Sequence, residues 1–437
     1  MFSFDGSCWL CHGEQEEAIA LMLEGGLLKW DNKRNLPLKS GGKTDIYVNL
    51  RMMRSKPSVT MELARLYENP LRRLRVERFV EVPEAVSPMA GAISVATGIP
   101  LVTIREEAKE GRVISGQLIG DLNPGDMVAI IDDVITDGAS KIPALTKLRS
   151  AAARIAGMVV MVDRQQGWKK KLAQAGFGDI GVWPGMTLHH VRKFLVRENL
   201  MERCDPAREE KNPIIVALDG KSWEETLPLV DQLRTSGCIF KVNDLFIDRR
   251  PAHLLQDLSV YGRVMADLKC HDIPNTIGNI CKRLRFCPPW AVTVHASGGG
   301  EMIKAAKKEL EGTATKILAV TVLTSIDPKT SLEIYGRHPS VMVPTLADTA
   351  NEAGADGFVC SPEEVEMLRR KFPDKLLVTP GIRSPGKDVD DQKRVDTPKN
   401  AIDKGANHLV MGRQILGASD PVAEVSRVLK EELGIEM

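Results

Sequence analysis

Charge of one sign, long apolar runs and a dense cysteine framework are all missing from this 437-residue chain. Lysine and arginine number 59 against 58 aspartate and glutamate, a formal charge of +1. The chain therefore lacks the basic footprint of a general nucleic-acid binder, and no nucleic-acid partner is expected. No apolar stretch approaches the roughly 18–20 residues that span a bilayer, so no membrane partner is expected either. Met1-Phe-Ser-Phe-Asp5 has no basic segment followed by an apolar one, and a cytoplasmic protein is expected. The eight cysteines are scattered through a large chain, which favours reduced thiols over disulfides. Cys8-Trp-Leu-Cys11-His12 fits a haem-attachment pattern, but nothing else nearby suits haem, and the cysteines are read as incidental.

What is present suffices for two α/β domains. Apolar residues make up 43% and charged residues 27%, enough for two separate cores at this length. From Arg203 to Pro213 the pattern turns charged, with prolines and no apolar periodicity. A linker is expected there, dividing 1–205 from 206–437. Beyond it, short apolar segments at 214–218, 238–242, 263–268, 291–295, 317–322, 357–360, 376–379 and 408–411 alternate with amphipathic stretches. Parallel strands buried on both faces read as such runs, so a (β/α)8 barrel is expected. The first half alternates too, with strand candidates at 78–82, 99–104, 128–131 and 158–162, and an open sheet is expected.

Polar residues recur where these strands end. Asp219, Lys241, Asp267 with Lys269, His295, Thr324 with Ser325, Gly381 with Arg383, and Gly412 with Arg413 fall at the C-terminal ends, the face on which barrel active sites are built. Asp267-Leu-Lys269-Cys-His-Asp272 is the densest. Residues two apart on a strand share a face, so Asp267 and Lys269 point the same way, with Asp272 in the loop beyond. A lysine between carboxylates stays protonated, a ready proton donor. In the first half, the strand before Asp132 and Asp133 runs into Thr136-Asp-Gly138-Ala-Ser140 and then a helical pattern. Hydroxyls and backbone N–H groups there suit a sugar phosphate, with the acids placed for ribose hydroxyls.

The first-half turn resembles the diphosphoribose-binding signature of type I phosphoribosyltransferases. Leu38-Lys39-Ser-Gly41, Tyr47-Val-Asn-Leu-Arg51, Pro88-Met-Ala-Gly91 and Asp163-Arg164-Gln165 narrow the resemblance to orotate phosphoribosyltransferases. It implies that Arg164 meets the orotate carboxylate and Lys39 either that carboxylate or the diphosphate, that Asp132, Asp133, Thr136, Gly138 and Ser140 cradle phosphoribosyl diphosphate (PRPP), and that magnesium accompanies PRPP. In the segment Arg105-Glu-Glu-Ala-Lys109-Glu-Gly111, Lys109 matches the family's catalytic lysine, with Arg105 also binding substrate. Glu106 puts an anion where the family carries a cation, which weakens diphosphate binding.

The second half resembles orotidine 5′-monophosphate (OMP) decarboxylases along nearly its whole length. Ala217-Leu-Asp219, Phe240-Lys241-Val242, Asp267 to Thr276, His295-Ala-Ser-Gly-Gly, Thr324-Ser325, Pro380-Gly-Ile-Arg383, Asp391-Gln392 and Met411-Gly412-Arg413 match in order. The resemblance implies that Lys241, Asp267, Lys269 and Asp272 form the catalytic charge network without a cofactor. Asp219 and Thr276 would hold the ribose, and Thr324 with Ser325 the pyrimidine. Arg383, Gln392, Gly412 and Arg413 would take the phosphate, under a lid formed by the segment from Arg383 to Asp396. Together the two resemblances imply orotate, PRPP and OMP as substrates, and at least a homodimer with Asp272 and Lys109 reaching the neighbour's sites. The alternative is decarboxylase activity alone, beside a degenerate PRPP-binding domain.

Overall fold

The computed structural model describes residues 8–32, 34–37, 43–82, 86–109, 116–386 and 395–436, with the backbone alone for 105–109 and 116–117. The chain divides into two compact units, 1–201 and 202–437. The stretch expected as a linker holds a helix, Pro206–Lys211, and falls in the second unit. Asp205 caps this helix, accepting from the Ala207 N–H, and Pro206 is tolerated at the first turn, where its missing N–H has no partner to lose.

The first unit is built on a six-stranded sheet. Its strands are β1 (Arg78–Glu81), β2 (Leu101–Lys109), β3 (Gly116–Ile119), β4 (Met127–Ile135), β5 (Arg154–Asp163) and β6 (Val182–Thr187). The order is β6-β5-β4-β1-β2-β3, parallel except for β3 against β2. Alternating residues of the central strands feed two cores. Phe79, Ala129, Ile131, Val159 and Met161 pack on one face, and Val80, Val128, Ile130, Met158 and Val160 on the other. Burial on both faces makes these strands continuous apolar runs. The edge strands β3 and β6 carry no such run and escaped the periodicity reading. Pro184 interrupts β6 and is accommodated because β6 lies at the edge.

The second unit is a closed barrel of eight parallel strands: β7 (Ile214–Ala217), β8 (Ile239–Val242), β9 (Val264–Cys270), β10 (Ala291–His295), β11 (Lys316–Val320), β12 (Gly357–Val359), β13 (Leu376–Thr379) and β14 (His408–Met411). Ile215, Ile239, Met265, Ala291, Leu318, Val378 and Val410 cluster as one apolar layer. Side chains alternate along a strand. Lys241, Asp267 and Thr293, two residues beyond Ile239, Met265 and Ala291, therefore stand one inward position above that layer.

Candidate active site

The charged residues of the barrel form a chain of contacts. Lys241 Nζ donates to Asp219 Oδ2 at 2.6 Å and lies 3.1 Å from Asp267 Oδ2. Lys269 Nζ donates to that same Asp267 oxygen at 2.6 Å. Lys241 and Asp267 are each 8% exposed, whereas Lys269 is 34% exposed and open to a ligand. Burial alone would drive both Lys241 and Asp267 toward their neutral forms. The opposite charges outweigh it. Asp267 and Asp219 hold the Lys241 ammonium above its usual range, and Lys241 and Lys269 hold the Asp267 carboxyl below its own. Burial, then His271 and Lys269, lowers the pKa of His295, whose ring lies 5.4 Å from that of His271.

Strand parity predicts Asp267 and Lys269 side by side, but the backbone reaches that result differently. Between Ala266 and Cys270, β9 advances four residues while β10 advances two, from Val292 to Val294. Lys269 sits in the bulge with φ at 46°, a conformation disfavoured for a side chain of its kind. Such strain persists only where surrounding contacts impose it. Thr293 is one of them. It is fully buried, accepts the Lys269 N–H at 2.8 Å and donates to Asp267 Oδ1 at 2.9 Å. Asn243 Nδ2 donates to the Asp267 carbonyl at 2.9 Å. Sequence reasoning missed both; the cue available was a hydroxyl inside the apolar strand Ala291–His295.

The other barrel candidates follow the C-terminal ends of their strands. Asp219 lies in the turn after β7 and Thr276 in the first turn of the helix Pro274–Leu284. Thr324 and Ser325 form a turn after β11. Asp272 is exposed, its carboxylate accepting the Ile273 N–H at 2.7 Å, and lies outside the contact chain from Asp219 to Lys269. Gly381 adopts φ of 80°. Arg383 is buried, its Nη1 donating to the Ile382 carbonyl at 2.8 Å. Gly412 precedes the short helix Arg413–Leu416. Gln392 and the expected lid residues 387–394 lie outside the described residues.

In the first unit, β4 continues through Asp132 and Asp133 to Ile135 rather than ending at 131. Pairing with β5, Asp132 opposite Val160 and Ile135 opposite Asp163, carries it on. Gly138 then turns with φ of 79°, a conformation that favours glycine, and a Cβ there would sit tightly at 3.3 Å from the Trp168 Cβ. Thr136 lies in the turn and Ser140 is exposed before the helix Ile142–Ser150. The acid pair is less open than the sequence suggests. Lys141, which sequence reasoning missed, forms an ion pair with Asp132, and both are buried. Burial, then repulsion from Arg51, pulls the Lys141 ammonium down to about 8. Burial raises the pKa of Asp133. Arg164 is buried as well, and its guanidinium donates to the Ile46 carbonyl at 3.1 Å and to Thr44 Oγ1 at 2.9 Å. The stretch Pro88–Gly91 lies within the helix Ser87–Thr97. Lys39 lies outside the described residues, and Arg105 and Lys109 are described by backbone only, in β2.

Among the described residues no cluster of three or more histidine, cysteine or acidic side chains could hold a metal ion. No helix among them is long and apolar enough to cross a membrane.

Comparison with known proteins addresses the barrel. Residues 212–428 match the orotidine 5′-phosphate decarboxylase / HUMPS family. The orotidine 5′-phosphate decarboxylase of Haemophilus ducreyi is 44% identical over 220 residues, 48% of this chain and 95% of that protein. That of Pseudoalteromonas translucida is 42% identical over 229 residues, 51% of this chain and 97% of that protein. Among solved structures, the Lactobacillus acidophilus orotidine 5′-phosphate decarboxylase is 36% identical, covering 51% of this chain and 100% of its own, with a TM-score of 0.45. Leishmania donovani UMP synthase is 31% identical over 43% of this chain and 39% of its own, with a TM-score of 0.38. Covering relatives of over 40% identity along nearly their whole length, the chain belongs to the orotidine 5′-phosphate decarboxylase family.

Proposed function

We propose that the chain is a bifunctional uridine 5′-monophosphate synthase, joining orotate to PRPP in its first unit and decarboxylating the resulting OMP in its barrel. Decarboxylation of OMP in pyrimidine biosynthesis is the activity of the family to which it belongs. The observation that carries the residue assignment is the single Asp267 oxygen shared by two ammonium groups, with Lys269 still accessible.

In this reading OMP lies with C6 over Lys269. The C6–carboxylate bond breaks, CO2 leaves, and the electron pair stays on C6 as a carbanion that the ring cannot delocalise. The Lys269 ammonium, held charged beside Asp267, stabilises that pair and then donates its proton to C6, giving UMP. Lys241 keeps Asp267 ionised and in place, so the carboxylate repels the leaving group in the ground state. No metal is needed, because the ammonium supplies the positive charge. Asp219 and Thr276 hold the ribose, and Thr324 and Ser325 meet the pyrimidine. Gly412, Arg413, Arg383 and Gln392 bind the phosphate, whose binding energy assists a reaction some distance away.

The transferase step is supported by the turn after β4, with Gly138 opening a helix beside Asp132 and Asp133. Magnesium would arrive bound to the diphosphate as part of the substrate. A second reading, decarboxylase activity beside a domain that only binds PRPP, is favoured by the Asp132–Lys141 pair and the engaged Arg164 guanidinium. Separate assays decide between them. Formation of OMP from orotate and magnesium-PRPP supports the synthase; conversion of OMP to UMP with no OMP formed from orotate leaves the second reading.

In this reading Asp272, exposed in the single chain, completes a neighbour's site in a homodimer. Mixing Asp272→Ala with Lys269→Ala subunits should restore up to about a quarter of wild-type decarboxylation, because random pairing leaves mixed dimers one intact centre. If mass spectrometry shows exchange and activity stays absent, Asp272 acts within its own chain.

A further inference from the structure

Arg383 lies in the loop after β13 and Arg413 opens the short helix after β14, yet the residue following each is tied to the residue following the other. Gln414 Oε1 accepts the Ser384 N–H at 2.9 Å, and Gln414 Nε2 donates to Ser384 Oγ at 2.6 Å. Both then join a cluster on the C-terminal helical segment. Gln414 Nε2 donates to Glu424 Oε1 at 2.7 Å, and Ser384 Oγ donates to Glu432 Oε1 at 2.5 Å. Arg427 closes the set, reaching Glu424 Oε2 at 3.0 Å, Glu432 Oε1 at 2.9 Å and Ser384 Oγ at 2.9 Å. Ser384 is 5% exposed and Gln414, Glu424, Arg427 and Glu432 are half-buried, and in a network partly withdrawn from water such bonds stiffen one another.

The backbone is shaped for this contact. The helix Pro421–Arg427, capped by Asp420, passes into a π-helical turn, Val428–Glu432, closed by the Leu433 N–H on the Val428 carbonyl. A π turn adds a residue to the helical ring and so redirects the side chains that follow. Here it brings Glu432 to Ser384 while Glu424, one face earlier, meets Gln414. The Arg383 end is held a second time, since the Arg383 N–H reaches the Asp396 carbonyl and the Asp396 N–H the Gly381 carbonyl.

We propose that Ser384, Gln414 and the Glu424–Arg427–Glu432 cluster form a positioning network that fixes the separation of Arg383 and Arg413, so that the C-terminal helical segment sets the phosphate grip without touching the phosphate. The proposal rests on the reading of Arg383 and Arg413 as phosphate ligands. Binding energy from a remote phosphate reaches the reacting bond only if the groups that grip it are pre-positioned.

The test compares OMP with orotidine, the same nucleoside without phosphate, by CO2 release in the full chain. Gln414→Leu should lower kcat/KM for OMP about tenfold, the effect of losing bonds among partly buried polar groups, and leave kcat/KM for orotidine within about twofold of wild type. Ser384→Ala removes three of the bonds with little change of volume and should show the same split. Unchanged OMP turnover in both variants overturns the proposal. Equal losses on both substrates overturn it as well, because they reduce the network to general support of the barrel. Arg413→Ala tests the underlying reading independently: if it leaves the preference for OMP over orotidine intact, the phosphate assignment fails; if it collapses that preference while Gln414→Leu and Ser384→Ala do not, only the network proposal fails.

Discussion

In the barrel, one carboxylate oxygen of Asp267 is shared by Lys241 and Lys269, and Asp219 extends the line of alternating charge. In the first unit a lysine and an aspartate meet again, but here Lys141 closes on Asp132 within β4 and both are buried. The chemical groups are the same and the outcomes differ. The barrel line ends on an ammonium that is one-third exposed, so one charge stays available to a substrate. The Lys141 pair is spent internally, and a ligand that used Asp132 would have to displace an ammonium. Pairing charges satisfies them; leaving the last member open makes a site.

The sharpest way to break this comparison is to remove the open charge. Lys269→Ala should lower decarboxylation by about 10^4-fold or more, combining lost proton transfer and lost electrostatic stabilisation. Formation of OMP from orotate, in the synthase reading, should stay at wild-type rate. Equal loss of both activities would mean that Lys269 supports the whole chain.

Removing the closed charge should act on stability instead. Lys141→Met leaves Asp132 buried and uncompensated, and should destabilise the first unit by about 3 kcal/mol. Adding Asp132→Asn should recover most of that loss. Calorimetry of the full chain reads both, with the barrel transition as the internal reference. A single substitution that leaves the first unit's transition unmoved would show that Asp132 does not depend on Lys141.

Thr293→Val cuts the support that holds Asp267 and the Lys269 backbone together. Loss of one buried and one partly buried bond should lower kcat for OMP about tenfold, with KM changed far less, and Thr293→Ser should restore the rate. A fall in affinity at constant kcat would instead place Thr293 in substrate binding.

The smallest effect is in pH. Asp267 is held below its reference value of 3.8, so its contribution is present above that pH and is lost only as pH falls through the depressed value. Lys241 is held above 10.5, so its contribution is complete below that pH and is lost as pH rises through the raised value. The melting advantage of wild type over Lys241→Met should be level between about pH 4 and 10 and narrow outside it. A slope through neutral pH would mean that another group titrates with the network.

Apolar runs and turn residues determined much of this protein without help from the structure. Eight buried runs predicted a closed parallel barrel because strands covered on both faces admit little but Val, Ile, Leu and Ala. The strand-end positions of Asp219, Lys241, Asp267 and Lys269 followed from where those runs stop. Edge strands were invisible for the converse reason: Val182–Thr187 is covered less and tolerates Pro184. The tertiary structure alone decided how the charges pair. Periodicity carries the direction of a side chain from a regular strand, but Lys269 reaches Asp267 from a bulge at positive φ, held by Thr293 on the next strand. Lys141 meets Asp132 across a turn, and Ser384 meets Gln414 thirty residues on. Which of the two ion pairs stays open to solvent depends on burial, and burial is a property of the packed fold, because a charge's cost is set by everything that surrounds it.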